Sequence, residues 1–147
     1  MLTFDMNTGG IEAALDGIKA KAAAAIRPAA QAGAQVYYDA VKAATPVSKA
    51  GHWFHGTSFK TTGQKYWFES GSLKNAVYQV YSKSGSSATK AEYQVAWNHR
   101  KVPYGFMVAG GTKRGAKGND FIGNAKRSVQ AQAAIAMQAE LQKRIKA

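Results

Sequence analysis

The chain has 147 residues and no cysteine, only three prolines and only eight acidic side chains. Without cysteine there is no disulfide framework, no thiolate zinc site and no thiol nucleophile. The same absence fits a reducing cytosol. No run of about 18 apolar residues occurs, so no segment is expected to cross a membrane as a helix. The first ten residues carry Asp5 and no basic cluster, which is not the pattern of a secretory signal. Acid is scarce where catalysis would need it. After Ala44 the carboxylates are Glu69, Glu92, Asp120 and Glu140, with no paired spacing for acid–base chemistry. Gly71-Ser72 and Gly85-Ser86 lack the GxSxG frame of an activated serine. No enzyme site, no metal and no cofactor is expected.

What is present is apolar, aromatic and basic. Hydrophobic residues make up 46% and aromatic residues 11% of the chain. That is enough to bury a core in one domain over residues 1–147, and it argues against disorder. The net charge is +12. It is unevenly placed. Up to Ala44, Lys19, Lys21, Arg27 and Lys42 balance Asp5, Glu12, Asp16 and Asp39. The whole excess lies after Ala44, and Arg100–Arg127 is its densest part. Such a half is expected to meet something negative: nucleic acid, an acidic protein or anionic lipid.

Leu2, Phe4 and Met6 alternate, which predicts a short strand. Asn7 or Thr8 then caps a helix reaching about Ala44. Along it Ile11, Leu15, Ile18, Ala22, Ile26, Ala29, Val36, Ala40 and Val41 form an apolar face. Its alanine-rich side suits another helix better than lipid, so no membrane is expected as a partner. Pro28 predicts a kink or break near Arg27, and Thr45-Pro46 ends the helix. Residues 47–70 form an aromatic-rich insertion, expected as an ordered loop or an extra hairpin. Asn75–Ser82 and Glu92–His99 read as two strands joined by Lys83–Lys90. Val102–Ala109 fits a strand or a short helix. Gly110–Gly118 is a basic, glycine-rich loop, and Asn119 or Asp120 caps a last helix. That helix buries Ile122, Ala125, Val129, Ala133, Ala136, Leu141 and Ile145. The fold class is α+β: a long N-terminal helix, a small, mostly antiparallel sheet, and a C-terminal helix packed on one face.

Three features carry candidate chemistry. His52, His55 and His99 could ligate a metal, but their spacing matches no ligand motif, and loop histidines among aromatics are the expected reading. Gly110–Gly118 resembles a phosphate loop only in composition, because the GxxxxGK[ST] order is missing. Its Lys113, Arg114 and Lys117 suit an acidic partner or a phosphate backbone. Trp53, Phe54, Tyr66 and Trp67, interleaved with Lys60 and Lys65, suit a core, a subunit interface or a base-stacking platform. Core or interface is the commoner use of such residues.

Read in order, four segments resemble a known family. They are Ala44-Thr45-Pro46, Ser70–Val77 (SGSLKNAV), Tyr104–Thr112 (YGFMVAGGT) and Asp120–Ala125 (DFIGNA). The chain resembles the head–tail joining family of tailed bacteriophages, the neck or tail-completion proteins. Ala109 stands where the family usually has glutamate, and Asp120 where it usually has proline. Residues 47–70 fill a place where the family is usually short. The resemblance implies a structural virion protein, made in the host cytoplasm and built into the head–tail junction or tail. It implies a ring homo-oligomer, often a hexamer, that meets the connector, stopper, tail terminator or tail tube, with genome DNA passing through its lumen. Trp53, Phe54, Tyr66, Trp67, Lys113, Arg114 and Lys117 are then the expected interface residues. Arg100, Lys101, Lys113 and Arg114 are the expected DNA-facing ones. A basic nucleic-acid-binding module is the alternative.

Overall fold

The computed structural model describes residues 9–146, with side chains from residue 13 onward. The strand expected at Leu2–Met6 lies outside the described residues. Helix α1 runs over Gly9–Ala44 and α5 over Phe121–Lys146. Between them come β1 (His52–His55), α2 (Phe59–Thr62), β2 (Lys65–Phe68), α3 (Ser72–Asn75), β3 (Val77–Tyr81), β4 (Tyr93–Trp97) and α4 (Gly105–Gly110). The fold is α+β, with α5 packed along α1. The ambiguous stretch at 102–109 resolves as helix, with α4 starting at Gly105.

Of the kink or break expected near Arg27, the break does not occur, and α1 continues through Pro28. Pro28 removes one amide donor, and its ring crowds the preceding turn. Ala22–Ala25, Ala29 and Ala30 flank it with the strongest helix former. Ala25 and Ala29 are also buried, so packing fixes the turn on both sides. The seam with α5 is built from small residues. Ala25 and Ala133 are fully buried, and Ala34 and Ala125 nearly so. A Cβ on Gly33 would sit 2.5 Å from Cγ of Met137, so glycine there lets the helices approach.

The helices run antiparallel: Val41 shares a core with Ala125, and Gly33 meets Met137. At 1.5 Å per residue, α5 therefore ends opposite roughly residue 22 of α1. The apolar face expected from Ile11 onward is covered only from Ala22 on. Leu15 and Ile18 are 51% and 53% exposed, because nothing within the described chain reaches them. On α5 the seven expected inward residues are all buried or half-buried.

The strands divide into two separate antiparallel hairpins. β1 pairs β2 with Trp53 opposite Trp67, so the insertion at 47–70 is a hairpin carrying one helical turn. β3 pairs β4 with Gln79 opposite Val95. The second hairpin lies on α1, where Gln79 donates to Gln35 at 2.7 Å and accepts from Gln31 at 3.2 Å. Arg27 reaches over the Tyr81 ring at 4.0 Å.

One core ties the pieces together. Val41, Leu73, Ala76, Val77, Val102, Phe121 and Ala125 form it, and Phe121 is completely buried. Thr45 ends α1 inside this region: it is 3% exposed, and its hydroxyl donates to the Val41 carbonyl at 2.6 Å. Asp120, not Asn119, caps α5, accepting from the Gly123 amide at 3.0 Å.

A candidate partner-binding cleft

The aromatic hairpin has two faces, because strand side chains alternate. His52, Phe54 and Phe68 turn inward onto Tyr104, at ring separations of 4.7, 6.0 and 4.9 Å. Burial pushes the Tyr104 phenol above its ordinary value, and a hydrogen bond with the Leu73 backbone opposes that in part. Trp53 and Trp67 turn outward and meet edge to face at 5.2 Å. Lys65 lies 4.5 Å from the Trp53 ring, a cation–π contact worth about 0.5–1 kcal/mol at an exposed site. Trp53, Trp67 and Tyr66 are 52%, 47% and 45% exposed. They are surface residues, and Phe54 belongs to the inward packing.

The glycine-rich loop is an ordered turn. The Gly115 amide donates to Thr112 at 3.2 Å, which makes Lys113 and Arg114 the central residues of a four-residue turn. Thr112 and Asn119 close it by donating to Ala116 and Val108 at 3.0 and 2.8 Å. Gly111 and Gly115 both take positive φ, 79° and 102°, which a side chain would strain. At Gly111 a Cβ would also collide with the Ala116 carbonyl at 2.6 Å. The glycines thus serve to hold two cations at a tip.

These two features meet. Phe54, His55, Phe59 and Lys60 from the hairpin face Met107, Thr112, Lys113 and Arg114 across a cleft of about 710 Å³. His55 stacks on Phe59 at 4.1 Å with the rings 5° apart. The cleft offers three cations over aromatic walls, a surface suited to carboxylates or phosphates attached to apolar groups. Of the expected residues, it brings together Phe54, Lys113 and Arg114. Trp53, Tyr66 and Trp67 stand elsewhere on the same hairpin, and Lys117 is exposed on the loop beyond the turn. Arg100 and Lys101 are not part of the cleft. Their amides bond the Asn98 side chain at 3.1 and 3.2 Å in the turn after β4. Lys60 was read only as a cation among the aromatics, and neither it nor Phe59 was tied to the glycine-rich loop. They lie some fifty residues from the loop they face, and α2 is too short to leave a periodic signal.

The three histidines are not gathered. His52 packs on Tyr104 and His55 on Phe59, while His99 is exposed in the turn after β4. Among the described residues no group of three His, Asp or Glu side chains is arranged to hold a metal. No helix of the described residues is long and apolar enough to cross a membrane. No protein-family model, no curated protein and no solved structure matches the chain.

Proposed function

We infer that this chain is a ring-forming structural subunit of the head–tail junction or tail end of a tailed bacteriophage, and not an enzyme. One observation carries the reading. Three of the four segments that resemble the neck and tail-completion family contribute to a single core, and the fourth, at Thr45, bonds the carbonyl of its Val41. Thr45, Leu73, Val77, Phe121 and Ala125 are each buried, and Tyr104, Val108 and Ala109 pack against them. The resemblance therefore rests on residues that determine the fold. Asp120 takes the place of the family's proline and does comparable work at a helix start, because an N-cap carboxylate and an N1 proline both favour initiation.

The surface supports the same reading. A projecting helix end with Leu15 and Ile18 bare, an outward Trp pair and a cationic turn are features of a protein that meets neighbours. In this account the ring is a homo-oligomer seated in the virion between connector or stopper and tail terminator or tail tube. The +12 charge meets acidic faces of those rings or the DNA in the lumen. The test is to remove the gene from its phage and image the particles. Separate heads and tails, joined again when the protein is supplied, are the expected result. Normally joined particles without the protein would rule it out.

A second reading, a basic nucleic-acid-binding module, is favoured by the cleft, where Lys60, Lys113 and Arg114 flank Phe54 and Phe59. It expects tight binding of free DNA or RNA that weakens steeply with salt. Lys113→Glu with Arg114→Glu should then reduce binding at least tenfold. A purified protein that ignores DNA at low salt leaves only the ring reading.

A further inference from the structure

The β3–β4 hairpin is a two-stranded sheet, and among the described residues no further strand pairs along its outer edges. The Ser82 amide donates to the Glu92 carbonyl and the Asn98 amide to the Ala76 carbonyl, both at 2.9 Å. Antiparallel pairs alternate. The backbone groups of Tyr93, Val95 and Trp97 therefore point away from β3. They have no backbone hydrogen bond among the described residues. A free edge of this kind is a template for another strand. An isolated two-stranded sheet is also marginal and gains from a third strand.

Beside that edge runs an apolar groove of about 420 Å³. Its floor is α1 at Ala30, Ala34 and Tyr37, and its far wall is α5 at Ile122 and Met137. Val95 lines it from β4 and no residue of β3 does, so β4 is the strand that borders it. A strand laid along β4 would find backbone partners on one side and a slot for alternate side chains below. That is the recognition mode of strand addition.

The sequence contains one segment made for that slot, and it cannot reach it within its own chain. Leu2, Phe4 and Met6 alternate in the sequence, and as a strand of five residues, the length of β4, the segment would carry three apolar side chains on one face. Helix α1 is described from Gly9, and Arg27, which lies over the ring of Tyr81, the partner of Tyr93 in the hairpin, is about 27 Å further along it. Fully extended chain covers at most about 3.6 Å per residue, so Met6 could reach about 11 Å and Leu2 about 25 Å from Gly9, both short of the level of Arg27 and of the rest of β4 beyond it.

We propose that Leu2–Met6 of one copy adds as a third strand along β4 of a second copy, with Leu2, Phe4 and Met6 in the groove between β4 and α5. The exposed Leu15 and Ile18 on the same projecting arm then lie against the neighbour that receives it. Head-to-tail contacts of this kind generate rings when the rotation closes. The inference rests on the ring reading for its second copy and names one contact within it.

The absence of cysteine makes the test clean. Phe4→Cys in one tagged chain and Val95→Cys in a differently tagged chain are mixed and mildly oxidised. A disulfide joining the two tags is expected, with Thr3→Cys in place of Phe4→Cys giving little, because its side chain points the other way. In parallel, the chain lacking residues 1–8 should sediment as a monomer and melt cooperatively, where the full chain is oligomeric. Oligomers that survive the truncation unchanged, or a disulfide formed only within one chain, overturn the contact and leave the ring reading standing. Joined particles in the gene-removal experiment overturn the ring reading instead.

Discussion

At the scale of single residues, Phe121 holds the most weight. It is the largest fully buried side chain, it closes the core at the start of α5, and its ring meets Trp97 at 5.8 Å. Phe121→Ala should cost about 3–5 kcal/mol in urea unfolding, since the cavity adds to the lost burial. A loss under about 1 kcal/mol would mean that the core is organised elsewhere. The residue stands in the DFIGNA segment but was not among the inward positions read for the last helix, because its depth depends on Val41, Leu73 and Val77 arriving from distant parts of the chain. The cap was legible as a choice of two, and the hydrogen bond to Gly123 selects Asp120.

At the scale of elements, periodicity was enough where an element is long. The inward residues of α5 and the pairing strands around Val80 and Val95 could be read directly, because spacing alone defines a face. Two things were not readable. The proline break failed because tertiary packing outweighs one missing hydrogen bond among alanines. The strands divided into two hairpins because one packs on Tyr104 and the other on α1, a choice made by partners far along the chain. The α1–α5 seam depends on Gly33, where any larger side chain meets Met137. Gly33→Leu should lower stability by about 1–3 kcal/mol, less than a rigid clash would impose because Met137 can move. A thermal melt unchanged by this substitution would place the seam elsewhere.

At the scale of the whole molecule, the charge and the bare surfaces form one pattern. The cationic turn at Lys113 and Arg114, the outward Trp53–Trp67 pair, the projecting helix end and the free edge of β4 lie on different parts of the surface. The ring proposed above would give each of them a neighbour. The cleft was the least legible feature, since Phe59 and Lys60 join Lys113 and Arg114 only through the fold. The most direct test is sedimentation of the purified protein, alone and mixed with tails lacking it, at low and high salt. The account predicts an oligomer of one fixed copy number, formed alone or on the tail end and released as salt rises. A chain that stays monomeric alone and does not travel with the tails at low salt would contradict it.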